Sequence, residues 1–355
     1  MKDIKVIFDA ERMKYPYTGL YHFCKDLGQS VLKDCPNDRE MYFYLNSKVD
    51  RVFGTDSNYL NQKSIDKFIK PRFNDFDLWH STFQLTDYLP INKKIKVVAT
   101  IHDLNFLKEN KSQQKREKYL SKIQKLIERS SAIVAISNYV KEDLLEHCNL
   151  LDKPLEVIYN GCHVNMKEQA FQSSNNESFV DGQFIYSLGT INRKKNVHIL
   201  PYLLIGNDLK LVMSGIIHEP DYFQRIQKIV KELGLENRFV YTGPVTDSEK
   251  YSYMKNCSLF AFPSIAEGFG LPVIEAMSFG KKVLLSNHTS LPEIGGSEAF
   301  YLEETSEDYM RFFGKERLLE ILASSPREGQ IKEWASQFSW DKASKKYWNI
   351  YNALL

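Results

Sequence analysis

The sequence has no run of about 18 apolar residues, the minimum for a helix that crosses a bilayer, so no segment of it reads as a membrane span. Cysteine is sparse: Cys24, Cys35, Cys148, Cys162 and Cys257 are widely scattered and never form a C-x-x-C pair. That excludes a disulfide framework and a cysteine zinc site, and it favours a reducing cytoplasm. An excess of one charge is lacking as well. Lys plus Arg number 47 against 45 Asp plus Glu, and a net charge of +2 provides no global field of the kind a general nucleic-acid binder carries. No internal repeat or low-complexity tract occurs. The opening residues, Lys2 to Phe8, lack a small-residue cleavage site and read as a first strand, not a signal peptide.

What is present is apolar material for more than one core. The chain has 355 residues, of which 43% are hydrophobic and 26% charged, which favours two domains and excludes disorder. Short apolar runs alternate with longer amphipathic segments throughout, the pattern of an α/β protein with parallel sheets and crossover helices. In the first half, strands are predicted at Lys5 to Phe8, Met41 to Leu45, Leu78 to His80, Lys96 to Ile101, Ala132 to Ile136 and Leu155 to Ile158. Helices are predicted at Gly19 to Leu32, Ser112 to Arg129 and Asn138 to His147, the last capped by Ser137. Residues 165 to 181 are polar and read as a linker. A second series follows, with strands at Phe184 to Leu188, Lys210 to Met213, Phe239 to Thr242, Leu259 to Phe262 and Lys282 to Leu285. Ligands of doubly wound sheets bind outside the carboxyl ends of the strands, so chemistry is expected just after each run.

The most informative segment is Pro263-Ser264-Ile265-Ala266-Glu267-Gly268-Phe269-Gly270-Leu271-Pro272-Val273-Ile274-Glu275-Ala276-Met277. It follows a strand and opens a helix, with Pro272 expected at the first helical position and Glu275 in the first turn. The amides of Phe269, Gly270 and Leu271, backed by the helix dipole, suit a phosphate, and Gly268 and Gly270 let the backbone approach it. Glu267 and Glu275 add carboxylates suited to hydroxyls. Phosphate and hydroxyl recognition together describe a nucleotide-sugar pocket.

The run from Thr242-Gly243 through Glu267 and Glu275 to Gly280-Lys281-Lys282-Val283 and Leu291-Pro292-Glu293-Ile294 resembles the donor half of retaining glycosyltransferases of family 4. The family pattern P-S-x-x-E-G-F-G-L-P-x-x-E-A-M is matched throughout. The resemblance is strong over residues 184 to 300 and continues in order over most of the remainder. It implies a GT-B fold of two facing Rossmann-like, doubly wound domains. Residues 1–165 would form the acceptor domain, 182–337 the nucleotide-sugar domain, and 338–355, opening at Ser339-Trp340, a final helix crossing back to the first.

By the same resemblance, Glu267 would contact the transferred sugar, the amides of residues 269 to 271 its phosphate, and Glu275 the ribose; Glu293 would be structural. The segment Gly189-Thr190-Ile191-Asn192-Arg193-Lys194-Lys195-Asn196 would face the cleft with three cations toward the departing diphosphate. Lys195 and Asn196 match the family, while either Arg193 or Lys194 takes the place of its usual arginine. His102 and Asp103, after a buried-strand pattern, resemble the family's His-Asp element. His102 is then an active-site residue for hydrogen bonding and charge stabilisation. The stretch Tyr17-Thr18-Gly19 matches the family's glycine loop in part, with Tyr15 and Tyr21 able either to stack on an acceptor sugar or simply to pack. Asn160-Gly161 is expected at the cleft floor, and Ser137 on a turn facing the crevice or as an N-cap.

Asp75-Phe76-Asp77 has the spacing of a manganese-binding D-x-D but precedes its strand, so metal-independent transfer without a cofactor is expected. Residues 111 to 129 carry Lys111, Lys115, Arg116, Lys118, Lys122, Lys125 and Arg129 against Glu117 and Glu128, with Leu120, Ile123 and Ile127 as an apolar stripe. This helix is either a solvated face or a surface for anionic lipid. The expected function is transfer of a sugar from a nucleoside diphosphate to a saccharide or lipid-linked saccharide hydroxyl in cell-surface polysaccharide synthesis, in the cytoplasm or on the inner face of the membrane. Resemblance to polysaccharide and O-antigen mannosyltransferases favours GDP-mannose as donor. Two other classes share part of this pattern. A nicotinamide oxidoreductase needs a G-x-G-x-x-G after its first strand, and Asp9-Ala10-Glu11-Arg12-Met13 has none. A catalytically silent nucleotide-sugar-binding scaffold would keep the fold, but the chain retains Glu267, Glu275, Lys195 and His102.

Overall fold

The computed structural model describes residues 4–16, 18–109, 111–162, 180–325 and 327–355. The predicted linker at 165 to 181 lies outside these residues except for Val180 and Asp181, and Tyr17 lies outside them as well. The chain forms two compact units, Met1–Gly161 with Phe338–Leu355, and Cys162–Gln337.

The first unit is built on strands β1 (Ile4–Asp9), β2 (Arg39–Asn46), β3 (Asn58–Gln62), β4 (Leu78–Ser81), β5 (Lys96–Ile101), β6 (Ala132–Ala135) and β7 (Leu155–Val157). They make one parallel sheet in the order β3-β2-β1-β4-β5-β6-β7. The apolar runs of β1, β5 and β6 lack polar alternation because both faces are covered, and Val6, Ile7, Phe8, Val97, Val98 and Ile133 have no solvent exposure. Helices α1 (Gly19–Lys33), α2 (Gln113–Arg129) and α3 (Asn138–His147) follow β1, β5 and β6. Thr18 caps α1, its Oγ1 accepting from the amide of Tyr21, and Ser137 caps α3 by accepting from Val140. The predicted start of α2 at Ser112 is instead its N-cap position.

The second unit has β8 (Phe184–Leu188), β9 (Lys210–Ser214), β10 (Phe239–Gly243), β11 (Leu259–Phe262), β12 (Val283–Ser286) and β13 (Phe300–Leu302), again all parallel, in the order β10-β9-β8-β11-β12-β13. Its helices are α4 (Pro220–Glu232), α5 (Asp247–Asn256), α6 (Leu271–Ser278), α7 (Leu291–Gly295), α8 (Glu307–Phe312), α9 (Leu318–Ala323) and α10 (Glu328–Ser336). The last helix, α11 (Trp340–Leu354), belongs to the first unit. Its Ser344 hydroxyl donates to the carbonyl of Ser30 and its Trp348 indole to that of Val31. Beneath these, Tyr351 meets Nδ1 of the buried His80 at 2.6 Å and Tyr347 meets Thr100 at 2.9 Å.

Two strands escaped the sequence reading. β3 is the edge strand Asn58-Tyr59-Leu60-Asn61-Gln62, too polar to register as an apolar run, and β13 has only three residues. In both units the strand order reverses beside the first strand, between β1 and β4 and between β8 and β11. The crevices outside these carboxyl ends are where a doubly wound sheet holds ligands.

Candidate active site

In the second unit the loops leaving β8 and β11 meet at the reversal point. After β8 the chain passes Gly189 and enters a short 3-10 turn, Arg193–Lys195, capped by Asn192, whose Oδ1 accepts from the amide of Lys195 at 3.1 Å. Asn196 closes the turn in the left-handed region at φ 55°, a conformation asparagine tolerates better than most residues. Gly215, at φ +142°, is required by contact: a Cβ there would lie 1.9 Å from the carbonyl oxygen of Gly189.

After β11, Ser264 donates its hydroxyl to the carbonyl of Lys194 at 3.2 Å, and the amide of Ile265 donates to the same oxygen at 3.0 Å. The two loops are thereby laced together, and Lys195 Nζ stands 2.5 Å from Glu267 Oε1, with the two side chains 17% and 13% exposed. Burial pushes the Glu267 carboxyl up, but Lys195, Lys194 and a Ser264 hydrogen bond outweigh it and hold the pKa below the usual value. Glu267 is therefore ionised at neutral pH. Lys195 also lies over the Phe262 ring, 4.7 Å from its centre.

Residues after β12 clamp this loop from behind. The amide of Glu267 donates to Thr289 Oγ1 at 2.9 Å, and the hydroxyl of Ser290 reaches the carbonyls of Glu267 and Phe269 at 3.1 and 3.2 Å. Gly270, at φ +102°, ends the loop as the N-cap of α6. The helix begins at Leu271, so Pro272 is its second residue and Glu275 stands in the second turn, not the first. That register turns Glu275 toward α5, where its Oε1 meets Lys250 Nζ at 2.8 Å. Lys250 is 7% exposed and is also paired with Asp247 at 3.3 Å. Burial alone would lower its pKa, but Glu275, Tyr251 and Asp247 raise it above the usual lysine value.

The three cations of the 193–195 turn do not act together. Arg193 is exposed and ion-paired with Glu219 and Asp221 at the start of α4, so its charge is committed there. Lys195 and Lys194 are the two whose charge acts on Glu267.

In the first unit, His102 follows β5 and is 7% exposed. Its Nε2 lies 2.7 Å from the carbonyl oxygen of Thr82, which can only accept, so Nε2 carries the proton. Burial lowers its pKa to about 4, against the Thr82 hydrogen bond and with help from Arg12. The imidazole is thus neutral at pH 7 and keeps the Nδ1 lone pair. Gln84 orders the His-Asp element, its Oε1 accepting from the amide of His102 at 3.3 Å and its Nε2 donating to the carbonyl of Asp103 at 3.1 Å. Asp103 Oδ1 accepts from the amide of Asn105. A Cβ at Gly19 would meet nothing within 4 Å, whereas one at Gly161 would lie 2.0 Å from the amide nitrogen of Trp340. Gly161 is therefore the seat of the last helix. Ser137 is fully buried and serves as the N-cap. Asp77 is taken up by the sheet, its Oδ2 accepting from the amide of Lys5 at 2.9 Å.

Lys250, Thr289, Ser290 and Gln84 went unpredicted. Only Lys250 had a signal, a lysine on the same helical face as the buried Tyr253 and Met254. On α2, Ile123, Leu126 and Ile127 are buried, so Leu126 replaces Leu120 in the core stripe. Lys111 pairs with Glu109, Lys122 with Asp87, and Arg129 donates to the carbonyls of Asn92 and Ile95. No helix among the described residues is long and apolar enough to cross a membrane.

Two parallel Rossmann-like sheets, with an acidic and basic constellation at the reversal point of the second, define the GT-B class of glycosyltransferases. Residues 49–165 match the family described as Glycosyltransferase Family 4, and residues 168–311 match Glycosyl transferases group 1. The chain belongs to these glycosyltransferases. It is 29% identical to the serotype-specific mannosyltransferase WbdA of Escherichia coli over 275 residues, 74% of this chain and 32% of that protein. The chain thus spans about a third of the length of the first curated relatives it matches. It is 23% identical to the O-antigen chain mannosyltransferase B of Escherichia coli over 99% of this chain and 100% of that one. Among solved structures, Anabaena HepE in complex with UDP and glucose superposes with a TM-score of 0.76 at 18% identity, covering 98% of this chain and 99% of that one.

Proposed function

We propose that the protein transfers a sugar, mannose from GDP-mannose by preference, to a hydroxyl of a saccharide or lipid-linked saccharide, with retention and without a metal, in cell-surface polysaccharide synthesis. The carrying observation is the Lys195–Glu267 pair at the reversal point, beside the N-terminus of α6. An ionised carboxylate among hydroxyl donors suits the sugar, while Lys195, Lys194 and the amides of residues 269 to 271 suit the diphosphate and the charge it gains as the bond breaks. Lys194 takes the role of the family arginine, because Arg193 is committed elsewhere. Gly189, Asn196 and Gly268 shape the backbone of this donor site, and Glu275, held by Lys250, receives the ribose. In the first unit, His102 offers Nδ1 as a hydrogen-bond acceptor to a sugar hydroxyl, with Asp103, Gly19 and Tyr17 on the acceptor side. Similarity to mannosyltransferases named for serotype and O-antigen supports both the donor and the polysaccharide product. A lipid-linked acceptor would place the protein on the inner, anionic face of the membrane.

The test is the thermal midpoint with GDP-mannose and with UDP-, ADP- and dTDP-sugars, with and without EDTA. A ligand at a hundred times its dissociation constant adds about 2.7 kcal/mol. The expected outcome is a selective, EDTA-insensitive rise with GDP-mannose. A rise only with another base overturns the donor, one abolished by EDTA overturns metal independence, and no rise with any donor overturns the catalytic reading.

A further inference from the structure

The turn that follows β3 exposes large apolar side chains. Phe68 is 84% exposed and Ile69 71%, the two highest values among the large apolar side chains of the described residues, and Ile65 is 52% exposed. They sit within Lys63-Ser64-Ile65-Asp66-Lys67-Phe68-Ile69-Lys70-Pro71-Arg72, where Lys63, Lys67, Lys70 and Arg72 stand against one carboxylate. That carboxylate is already used: Asp66 accepts from the Tyr44 hydroxyl at 2.6 Å and from the amide of Lys63 at 2.8 Å.

Part of the backbone of the turn is hydrogen-bonded within the turn. The amides of Phe68 and Ile69 both reach the carbonyl of Ile65 at 2.9 Å, that of Asp66 reaches Lys63 at 3.0 Å, and Pro71 has no amide hydrogen. The amides so bonded need not lose water when the turn enters an apolar medium. Beneath it, Phe73 packs edge-on against Tyr44 at 5.8 Å and near Trp79 at 5.5 Å, so the apolar tip rests on the sheet core.

We propose that the turn 63–72 is a membrane-docking element, inserting Phe68, Ile69 and Ile65 among the acyl chains of an anionic phospholipid surface while its four cations meet the headgroups. Charge complementarity selects this occupant: apolar side chains ringed by lysine and arginine match the boundary between acyl chains and acidic headgroups, whereas the cores of protein interfaces are depleted of lysine. The basic helix α2 is a poorer candidate, since its apolar stripe is buried and three of its cations are paired or bonded to carbonyls. This deepens the membrane part of the proposed function and relocates it. Its test is independent of the donor, so the two readings fail separately.

The full chain is floated with vesicles of 30:70 phosphatidylglycerol and phosphatidylethanolamine and with pure phosphatidylcholine. Binding is expected to the first and not the second. Phe68→Ser with Ile69→Ser should weaken it by about tenfold or more, and Lys67→Ser or Lys70→Ser by about fivefold each. Lys115→Ser with Lys118→Ser on α2 should leave it unchanged. Because every altered side chain except the half-buried Lys70 is exposed, thermal midpoints should stay close to the wild-type value. As a separate readout, Phe68→Trp should fluoresce further to the blue with vesicles and be quenched by brominated acyl chains. No binding by the wild type, wild-type binding by the Phe68/Ile69 variant, or loss of binding only in the α2 variant overturns the proposal. So does sedimentation showing that the Phe68/Ile69 variant merely dissolves a dimer while vesicle binding persists.

Discussion

Lys195 and Glu267 neutralise each other in the free protein, and this shapes what either substitution does. Removing one leaves the other charge in a site only 13–17% exposed, where an unpaired ion is costly. Glu267→Gln keeps the volume and the backbone N–H hydrogen bond to Thr289, so the fold should survive with about 1–3 kcal/mol lost in urea unfolding. Turnover should fall by about 100-fold or more, because the lost charge is one the proposed transition state uses. Lys195→Met should weaken donor binding by about tenfold in calorimetry as well as slow turnover, since the cation meets the diphosphate in the ground state too. A Glu267→Gln variant that turns over at the wild-type rate would remove Glu267 from the chemistry. Neutral His102 differs in kind. With Nε2–H held by the Thr82 carbonyl, it acts through Nδ1, and an activity profile across pH 6 to 8 should show no step from its titration.

At the scale of elements, the site is a product of loop packing. Gly215 follows β9 and touches Gly189, which opens the turn that carries Lys195. In Gly215→Ala the methyl group would enter the Gly189 carbonyl at a φ of +142°, so about 2–4 kcal/mol should be lost on unfolding, with donor affinity falling in step. An alanine variant of wild-type stability would show that the two loops separate freely. The α5–α6 contact separates packing from function. Lys250→Met alone should destabilise by about 1–3 kcal/mol, because it leaves Glu275 unpaired, whereas Lys250→Met with Glu275→Leu should recover most of that loss and still fail to bind donor. Equal stability of the single and double variants would count against the coupling.

These contacts also show where the sequence is readable. The predicted runs of β5, β8 and β11 match their strands end to end, because strands covered on both faces are predominantly apolar. β3 exposes much of its length and so carries the exposed Asn58 and Asn61. Glu267 and Lys195 were legible through local motifs. Lys250, Gln84 and Thr289 were not, since each acts on a residue at least 18 positions away and sequence spacing carries no trace of that meeting. The register of Glu275 was misread for a related reason. This helix starts after Gly270, whose positive φ ends the loop, and composition alone places a helix start only to within a turn.

At the scale of the whole chain, the last helix joins residues 271 positions apart through one imidazole. His80 on β4 meets Tyr351 of α11 through Nδ1 and Thr100 of β5 through Nε2, at 2.6 and 2.8 Å. Burial lowers its pKa to about 3, with a smaller contribution from His102, so it is neutral in the folded state. In the unfolded chain it titrates near 6.5. A histidine whose folded pKa is depressed binds more protons when unfolded, so its contribution to stability is full above pH 6.5 and is lost as the pH falls toward 3. Asp9 and Glu11, buried in the same unit, are shifted upward chiefly by burial and act in the opposite sense, which makes the total pH dependence a poor measure of His80. A difference between two proteins cancels them. His80→Gln should cost stability at pH 7.5 through its lost bonds to Tyr351 and Thr100, and the gap to wild type in urea unfolding should narrow by about 2 kcal/mol at pH 5. Amide exchange should localise the change to α11 and the carboxyl ends of β4 and β5. A gap that stays constant between the two pH values would mean that His80 takes up its proton as readily in the folded protein as in the unfolded chain, so that burial does not hold it neutral.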